Sequence, residues 1–390
     1  MNTIPYSCQE ISEDDITAVQ HVLRSPYLTQ GPEVIVFEEE LKNKFQVEHA
    51  ICCSSGTAAL HLAYSGLGIN EKSIGFVPAV TFSATANAFR YQGADVVFCD
   101  INPETGIIDL NSLESQLGKF RNLSEGTCAI TPVSLAGKVA PLIEARKLAD
   151  SFGCSLIEDA SHSAGAFGES KGNINTTSIS SPCLNASCVS FHPVKHICAG
   201  EGGVVLTNCK KIAEKATQLR SHGIIRPFPN EHPTSWYYEQ IDLGWNYRLS
   251  EIHAALGRSQ LKQLDAGLSA RKHIALRYHN SFSESPFRET FTTPNLEDGH
   301  AWHLYVIRFL QKGIRDRAHR YLKSKGVMTQ IHYIPLYRHP YYQKIAGDLS
   351  LPGAEKYFQS CLSIPMFPSL SEEQQNRVID SLESFIKNET

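Results

Sequence analysis

The chain lacks several features that would place it in a specialised class. Its 390 residues contain no run of lysine and arginine and have a formal net charge of −4, so nothing indicates a nucleic-acid or membrane surface. No apolar stretch has the length of a membrane span, and the first residues do not resemble a signal peptide, which predicts a cytoplasmic protein. The eleven cysteines include no Cys-x-x-Cys pair, which favours reduced, buried thiols. A small-molecule function is therefore favoured.

Short apolar runs alternate with helical patterns over residues 30–250. The runs predict buried strands at His49–Cys53, Ile74–Val77, Asp95–Cys99, Cys128–Val133, Cys154–Ile157, Cys188–Phe191 and Gly203–Leu206. Helices are predicted between most of them, at Thr57–Leu67, Ser83–Gln92, Leu110–Gly118 and Pro141–Phe152. This alternation predicts an α/β fold with a mostly parallel sheet covered on both faces. Ligands of such sheets lie at the carboxyl ends of the strands.

The pattern changes after Leu249. A long helical pattern runs to about Phe282, and a second block follows with a strand at Trp302–Phe309 and helices near Arg315–Lys325 and Glu372–Ile386. We therefore predict two domains, a large α/β domain at residues 1–250 and a smaller C-terminal α+β domain at residues 251–390.

One lysine, Lys195, follows the end of a predicted strand. The strand passes through Ser190, the lysine stands five residues later, and the Gly-rich turn Gly200–Gly203 leads into the next strand. Partial burial would lower the pKa of such a lysine enough for imine chemistry. An exposed loop lysine explains this stretch equally well, so the stretch alone leaves both interpretations open.

Two acids end another apolar strand, in the segment Leu156–His162. This places Asp159 at the same edge of the sheet as Lys195. A carboxylate there could hold the pyridinium nitrogen of pyridoxal phosphate (PLP) and so make the cofactor ring an electron sink. Taken alone, a strand-end aspartate that caps a loop is the commoner alternative.

A small-residue turn, Ser55-Gly56-Thr57, leads from a strand into a helix. Backbone N–H groups at that helix start could bind a phosphate. There is no Walker lysine or Gly-x-Gly-x-x-Gly nearby, so this is neither a nucleoside-triphosphate loop nor a dinucleotide site. A plain N-cap is the alternative for the turn alone. Together, the phosphate turn, the carboxylate and the lysine are the parts that a PLP enzyme needs.

Several motifs resemble the DegT/StrS family of sugar aminotransferases over nearly the whole chain. These motifs are SSGTAAL at 54–60, EDASH at 158–162, SFHPVK at 190–195, GEGG at 200–203 and GWNYRLS at 244–250. The segments 81–87, 220–223, 254–257 and 331–335 are most similar to family members that act in pseudaminic acid biosynthesis. The resemblance implies a PLP-dependent transferase fold of the aspartate aminotransferase type (fold type I) and a homodimer with shared active sites.

The resemblance also implies a role for each matching residue. Lys195 would carry PLP as a Schiff base and shuttle a proton, Asp159 would pair with the ring nitrogen, and His162 would support the site. The other implied cofactor contacts are Ser55, Gly56, Thr57, Phe82 as the stacking aromatic, Ser190 and, from the neighbouring subunit, Asn246.

The implied substrates are L-glutamate and a 4-keto-6-deoxy sugar nucleotide that accepts the amino group at C4. The first choice is UDP-2-acetamido-2,6-dideoxy-β-L-arabino-hex-4-ulose, and the alternatives are its D-gluco epimer or a GDP- or dTDP-linked sugar. The implied substrate contacts are Tyr6, Pro26, Tyr27, Leu28, Thr29, Ser55, Arg248, Ile331, His332, Tyr333 and Ile334. Two departures from the family pattern, Cys198-Ala199 and His196, remove no catalytic group.

Three other functions explain less of the sequence. Relatives with histidine in place of the lysine dehydrate sugars, and Lys195 argues against that reaction. A metal-dependent hydrolase would use His192 and His196 with Asp159 and His162, but Pro193 breaks the helix that the His-x-x-x-His spacing requires, so no metal is expected. A PLP-binding regulatory protein would keep the lysine without turnover.

Overall fold

The computed structural model describes residues 3–120, 127–168, 178–226 and 236–389. The described strands are β1 (His49–Cys53), β2 (Ile74–Pro78), β3 (Asp95–Cys99), β4 (Cys128–Ile130), β5 (Ser155–Asp159), β6 (Ala186–Ser190), β7 (Gly203–Thr207), β8 (Ile224–Ile225), β9 (Glu239–Gln240), β10 (Phe291–Thr292), β11 (Tyr305–Phe309) and β12 (Cys361–Ile364). The described helices are α1 (Glu13–Leu23), α2 (Pro32–Phe45), α3 (Gly56–Leu67), α4 (Ser83–Tyr91), α5 (Leu110–Lys119), α6 (Leu142–Phe152), α7 (Lys210–Arg220), α8 (Glu251–Leu261), α9 (Leu264–Phe282), α10 (Phe287–Thr290), α11 (Ile314–Ser324), α12 (Pro340–Ala346), α13 (Pro352–Ser360) and α14 (Glu372–Glu389).

The large sheet is mostly parallel, as predicted. Its strand order is β1-β7-β6-β5-β4-β2-β3. Five neighbouring strands in this order are parallel to one another, namely β6, β5, β4, β2 and β3. Strand β7 is antiparallel to both of its neighbours, β1 and β6. Strands β1, β5 and β6 therefore run in the same direction, and their carboxyl ends lie at one edge of the sheet. That edge carries the predicted site residues, because ligands of such sheets bind there.

Helix α3 starts at this edge for a local reason. The side chain of Ser55 accepts a hydrogen bond from the backbone N–H of Ala58 and so caps the helix. Gly68 ends the helix in the left-handed conformation, with φ of 83°. Most of the helix is buried against the sheet and α7, so its amino end is held at the strand ends.

The C-terminal part has its own antiparallel sheet, in the order β10-β11-β12. It surrounds a separate apolar core that includes Tyr278, Tyr305 and Phe385, and Ile4 from the start of the chain joins it. Ala254 and Leu264 instead pack with residues of the large sheet. A smaller C-terminal domain is thus present, and its boundary near residue 250 stays a prediction.

The structure corrects one expectation about the cysteines. Cys128 in β4 and Cys154, just before β5, form a disulfide with a Cα–Cα distance of 4.7 Å, whereas the sequence favoured reduced thiols throughout. Parallel pairing of β4 with β5 brings the two residues together across 26 positions, a proximity that spacing alone does not show. The other nine cysteines are free. None of the described helices is long and apolar enough to cross a membrane.

Candidate active site

A cavity of about 930 Å³ opens at the carboxyl edge of the large sheet. Its walls come from the ends of β5 and β6, the starts of α3 and α4, and the segment 330–342 of the C-terminal part. Thirteen of the residues predicted from the sequence line it: Tyr6, Ser55, Gly56, Thr57, Phe82, Asp159, His162, Ser190, Lys195, Ile331, His332, Tyr333 and Ile334.

Lys195 lies in the loop after β6 and faces this cavity. Its backbone N–H donates a hydrogen bond to the carbonyl oxygen of His192. The backbone N–H of Ala199 donates to the carbonyl oxygen of Phe191, and this bond folds the loop back on the strand end. Burial lowers the pKa of the Lys195 amine to about 8, the Asp159 carboxylate opposes that shift, and the positive charge of Arg271 adds to it. The amine is thereby much more nucleophilic near neutral pH than an ordinary lysine.

Asp159 is the last residue of β5 and is buried at the edge of the cavity. The hydroxyl of Thr85 donates to its Oδ2 at 2.7 Å, and the backbone N–H of Ser161 donates to its Oδ1 at 3.2 Å. The Thr85 hydroxyl also lies 2.8 Å from that of Thr81. These bonds fix the carboxylate in orientation and satisfy part of its hydrogen-bonding capacity, which offsets part of the cost of burying it.

The turn at the start of α3 lies in very close contact with β6 and β7. A Cβ on Gly56 would lie 2.7 Å from the Cβ of Ser190, and a Cβ on Gly203 would lie 2.4 Å from the carbonyl oxygen of Ser55. Only glycine fits at these two positions. The start of α3 and Ser190 thus lie side by side and form an anion cradle, in which the first N–H groups of the helix and the Ser190 hydroxyl could bind one anionic group.

His162 is buried beside Asp159 and is held as a neutral imidazole. The backbone N–H of Ala136 donates to its Nδ1 at 3.3 Å, so the proton of the ring is on Nε2, which lies 3.3 Å from the Tyr333 hydroxyl oxygen. Burial is the main reason why the pKa of His162 lies well below the usual value, and the charge of Lys195 lowers it further. The Nε2–H of His162 is thus placed to donate to the Tyr333 hydroxyl oxygen.

Phe82 is a large apolar side chain that stays 58% exposed at the cavity wall. Its ring centroid lies 6.1 Å from that of Tyr333. An exposed aromatic face, an anion cradle, a buried carboxylate and a lysine with a lowered pKa all lie around one cavity. These residues fit PLP, which has a flat ring, a phosphate, a basic ring nitrogen and an aldehyde.

Other predicted residues do not line the cavity of their own chain. Asn246 is exposed, and Arg248 is partly buried with its Nε unpartnered. The segment Pro26-Tyr27-Leu28-Thr29 is exposed. The structure describes one chain, so their implied roles toward a neighbouring subunit or a substrate stay predictions.

Two residues next to the predicted ones were missed in the sequence. Thr85 stands four positions after Thr81 in the motif at 81–87, a spacing that brings two side chains to the same face of a helix. This spacing was the available signal for the pair of hydroxyls, one of which donates to Asp159. His303 is buried and lines the cavity, with its ring centroid 4.3 Å from that of His162. It comes from the C-terminal part, and no local pattern indicates that contact.

A lysine and an aspartate that follow neighbouring strands, beside a helix start suited to a phosphate, are the arrangement of a PLP-dependent enzyme on this fold. The chain belongs to the DegT/DnrJ/EryC1/StrS aminotransferase family, whose sequence model matches residues 9–383.

Individual relatives match over almost their whole length. The chain is 36% identical over 386 residues to the UDP-4-amino-4,6-dideoxy-N-acetyl-beta-L-altrosamine transaminase of Campylobacter jejuni, covering 98% of each chain. The structure of Helicobacter pylori PseC, an aminotransferase of pseudaminic acid biosynthesis, superimposes with a TM-score of 0.88 at 31% identity and covers 99% of this chain and all of that one. A PLP form of the sugar aminotransferase Spr1654 of Streptococcus pneumoniae superimposes with a TM-score of 0.86 at 25% identity, covering 99% of each chain.

Proposed function

We propose that this aminotransferase uses PLP to transfer the amino group of L-glutamate to C4 of a 4-keto-6-deoxy sugar nucleotide. The first-choice acceptor is UDP-2-acetamido-2,6-dideoxy-β-L-arabino-hex-4-ulose, which is the keto form of the amino sugar named in the Campylobacter relative. The observation that carries the proposal is that Lys195 and Asp159 face one cavity in a chain so similar to that relative over its whole length.

The residues around the cavity supply what this reaction needs from the protein. When bound, PLP supplies an aldehyde that combines with amines and a ring that accepts electrons. Lys195, with its pKa near 8, supplies the amine that holds the cofactor and moves a proton at the reacting carbon. Asp159, fixed by Thr85, provides a negative charge for the ring nitrogen.

The remaining contacts bind and orient. The first N–H groups of α3 and the Ser190 hydroxyl would bind the phosphate, and Phe82 would stack on the ring. The His162–Tyr333 pair presents a hydroxyl to the sugar. One cavity must admit glutamate and the keto sugar in turn, so the proposal includes ping-pong kinetics.

The proposal also includes a homodimer with shared sites. Its support is the placement of Asn246 and the Pro26–Thr29 segment, which the family resemblance assigns to cofactor and substrate but which are exposed and do not line the cavity of their own chain. Exposed apolar side chains in the same region, Trp236 at 73% and Leu243 at 80%, fit a surface that another subunit covers.

The direct test is an acceptor comparison. Purified enzyme with PLP and L-glutamate is offered the UDP-linked β-L-arabino sugar, its D-gluco epimer, and GDP- and dTDP-linked 4-keto sugars, and the amines are measured by mass spectrometry. We expect the first acceptor to give the highest kcat/KM. A higher value for another acceptor would correct the sugar, and amination of none would refute the proposal.

Lys195→Ala is the matched control. This variant should fold, lose the yellow colour that PLP enzymes show, and lose transamination. The geometry does not support the competing metal hydrolase, because the described residues contain no group of three or more His, Cys, Asp or Glu side chains placed to hold a metal ion. Yellow enzyme that aminates no keto sugar would favour the regulatory alternative.

A further inference from the structure

A buried carboxyl group lies directly beneath the cavity. Glu158 precedes Asp159 in β5 and points to the opposite face of the sheet, because side chains alternate along a strand. It is fully buried, and its oxygens accept hydrogen bonds from the hydroxyls of three serines, namely Ser134, Ser163 and Ser187. A buried carboxyl group is costly unless it is hydrogen-bonded, and these three hydroxyls together offset part of that cost.

The three serines belong to three different segments of the site. Ser134 opens a turn over residues 134–137, Ser163 follows His162, and Ser187 lies in β6, which leads to Lys195. The Ser134 hydroxyl oxygen also accepts the backbone N–H of Ala140 at 3.1 Å, which holds the far side of the turn. Glu158 therefore connects this turn to the strand that carries Asp159.

The turn presents one backbone N–H to His162. Its residue Ala136 has φ of 61°, a left-handed conformation that costs about 1–2 kcal/mol for a non-glycine residue and persists only where neighbours hold it. In this conformation the N–H of Ala136 donates to Nδ1 of His162. Nε2 must then carry the ring proton and donate to the hydroxyl oxygen of Tyr333.

The hydrogen bond from His162 determines which hydrogen-bonding role remains for the Tyr333 hydroxyl. Its oxygen accepts from His162, and burial raises the pKa of the phenol well above its usual value, so the hydroxyl keeps its proton. Tyr333 lines the cavity, and its O–H is left to donate there. A run of contacts thus leads from a carboxyl group on the far face of the sheet to a donor hydroxyl in the cavity.

We propose that Glu158 is a positioning residue: through Ser134 and the Ala136 turn it fixes the tautomer of His162 and so holds the Tyr333 hydroxyl as a hydrogen-bond donor to an oxygen of the sugar nucleotide. The identity of that ligand rests on the proposed function. The tautomer of His162 and the conformation of the turn do not rest on the proposed function, and both are measured without any substrate.

The test compares two serine variants in the holoenzyme. Ser134→Ala and Ser187→Ala each remove one fully buried hydroxyl from the same carboxyl group, but only Ser134 leads to the turn. In Ser134→Ala we expect amide hydrogen exchange of Ala136 about tenfold faster, as for the loss of one hydrogen bond. In ¹⁵N-histidine NMR spectra, the His162 signal should lose its single Nε2–H form. Ser187→Ala should match the wild type in both measurements, and Ser134→Thr, which keeps the hydroxyl, should restore both.

Kinetics provides the second readout. Ser134→Ala and Glu158→Gln should each lower kcat for the keto sugar about tenfold, while Ser187→Ala stays within about twofold. Adding Ser134→Ala to Tyr333→Phe should cause no further loss of kcat, because the two changes remove the same donor.

Equal exchange rates and equal His162 spectra in the two serine variants would overturn the proposal. If the wild type aminates no sugar, the proposed function fails while the exchange and NMR results still decide this inference.

Discussion

The Lys195 amine lies between opposing electrostatic effects. Burial disfavours its charged form, the nearby Asp159 carboxylate favours it, and the buried Arg271 guanidinium disfavours it again. Burial is the largest effect, so the pKa falls to about 8. At pH 7 about a tenth of such amines are neutral, against fewer than about one in a thousand for an ordinary lysine.

This balance predicts the pH dependence of Lys195 reactivity in the apoenzyme. The rate of acylation of Lys195 by a small reagent, followed by peptide mass spectrometry, should rise with pH to a midpoint near 8, because only the neutral amine reacts. Asp159→Asn removes the negative charge that favours the protonated amine, so its midpoint should be lower. A midpoint near 10 in the wild type, or an upward shift in the variant, would contradict the assignment.

At the level of single residues, the sequence predicted the groups that stand at strand ends. Lys195, Asp159 and Ser190 follow buried apolar runs, and parallel strands bring such positions to one edge. Thr85 and His303 were not predicted, because their contacts depend on how α4 and the C-terminal part pack against that edge. Local patterns contain no information about such packing.

The ends of some strands also differ from the sequence-based prediction. The bounds of β1 and β3 agree with the prediction, but β4 ends at Ile130 rather than Val133. Pro132 has no N–H and cannot continue the ladder, which explains the early end. Strand β5 instead continues to Asp159, since the N–H of that residue donates to the carbonyl oxygen of Pro132. The carboxylate thus belongs to the rigid sheet rather than to a loop.

The close approach of α3 to β6 leads to a prediction for this element. Gly56→Ala places a Cβ 2.7 Å from that of Ser190, so the helix start must move away and open the cradle. We expect PLP affinity to fall at least about tenfold, measured by fluorescence titration of the apoenzyme. Gly118→Ala is the matched control, because a Cβ there meets no atom within 4 Å and α5 gains helix propensity. Equal affinity in the two variants would show that the cradle does not bind the phosphate.

At the scale of the whole molecule, the predicted residues fall into two groups. The first group, with Lys195 and Asp159, lines the cavity. The second, with Asn246 and the Pro26–Thr29 segment, is exposed elsewhere on the chain. Composition and periodicity give no signal that separates the groups, since the separation depends on which segments the folded chain brings to the cavity. The proposed homodimer, in which a second subunit completes the site, would place residues of both groups around one ligand.

This arrangement predicts complementation between two inactive variants. Lys195→Ala and Asn246→Ala should each have little activity. If they are mixed, unfolded and refolded together, half of the dimers are mixed, and one of the two sites in each mixed dimer has both Lys195 and Asn246 intact. Equal amounts should therefore recover about a quarter of the wild-type kcat per subunit. Each variant refolded alone is the control. If the mixture recovers no more than these controls, Asn246 acts within its own chain or not at all, and the shared site is wrong.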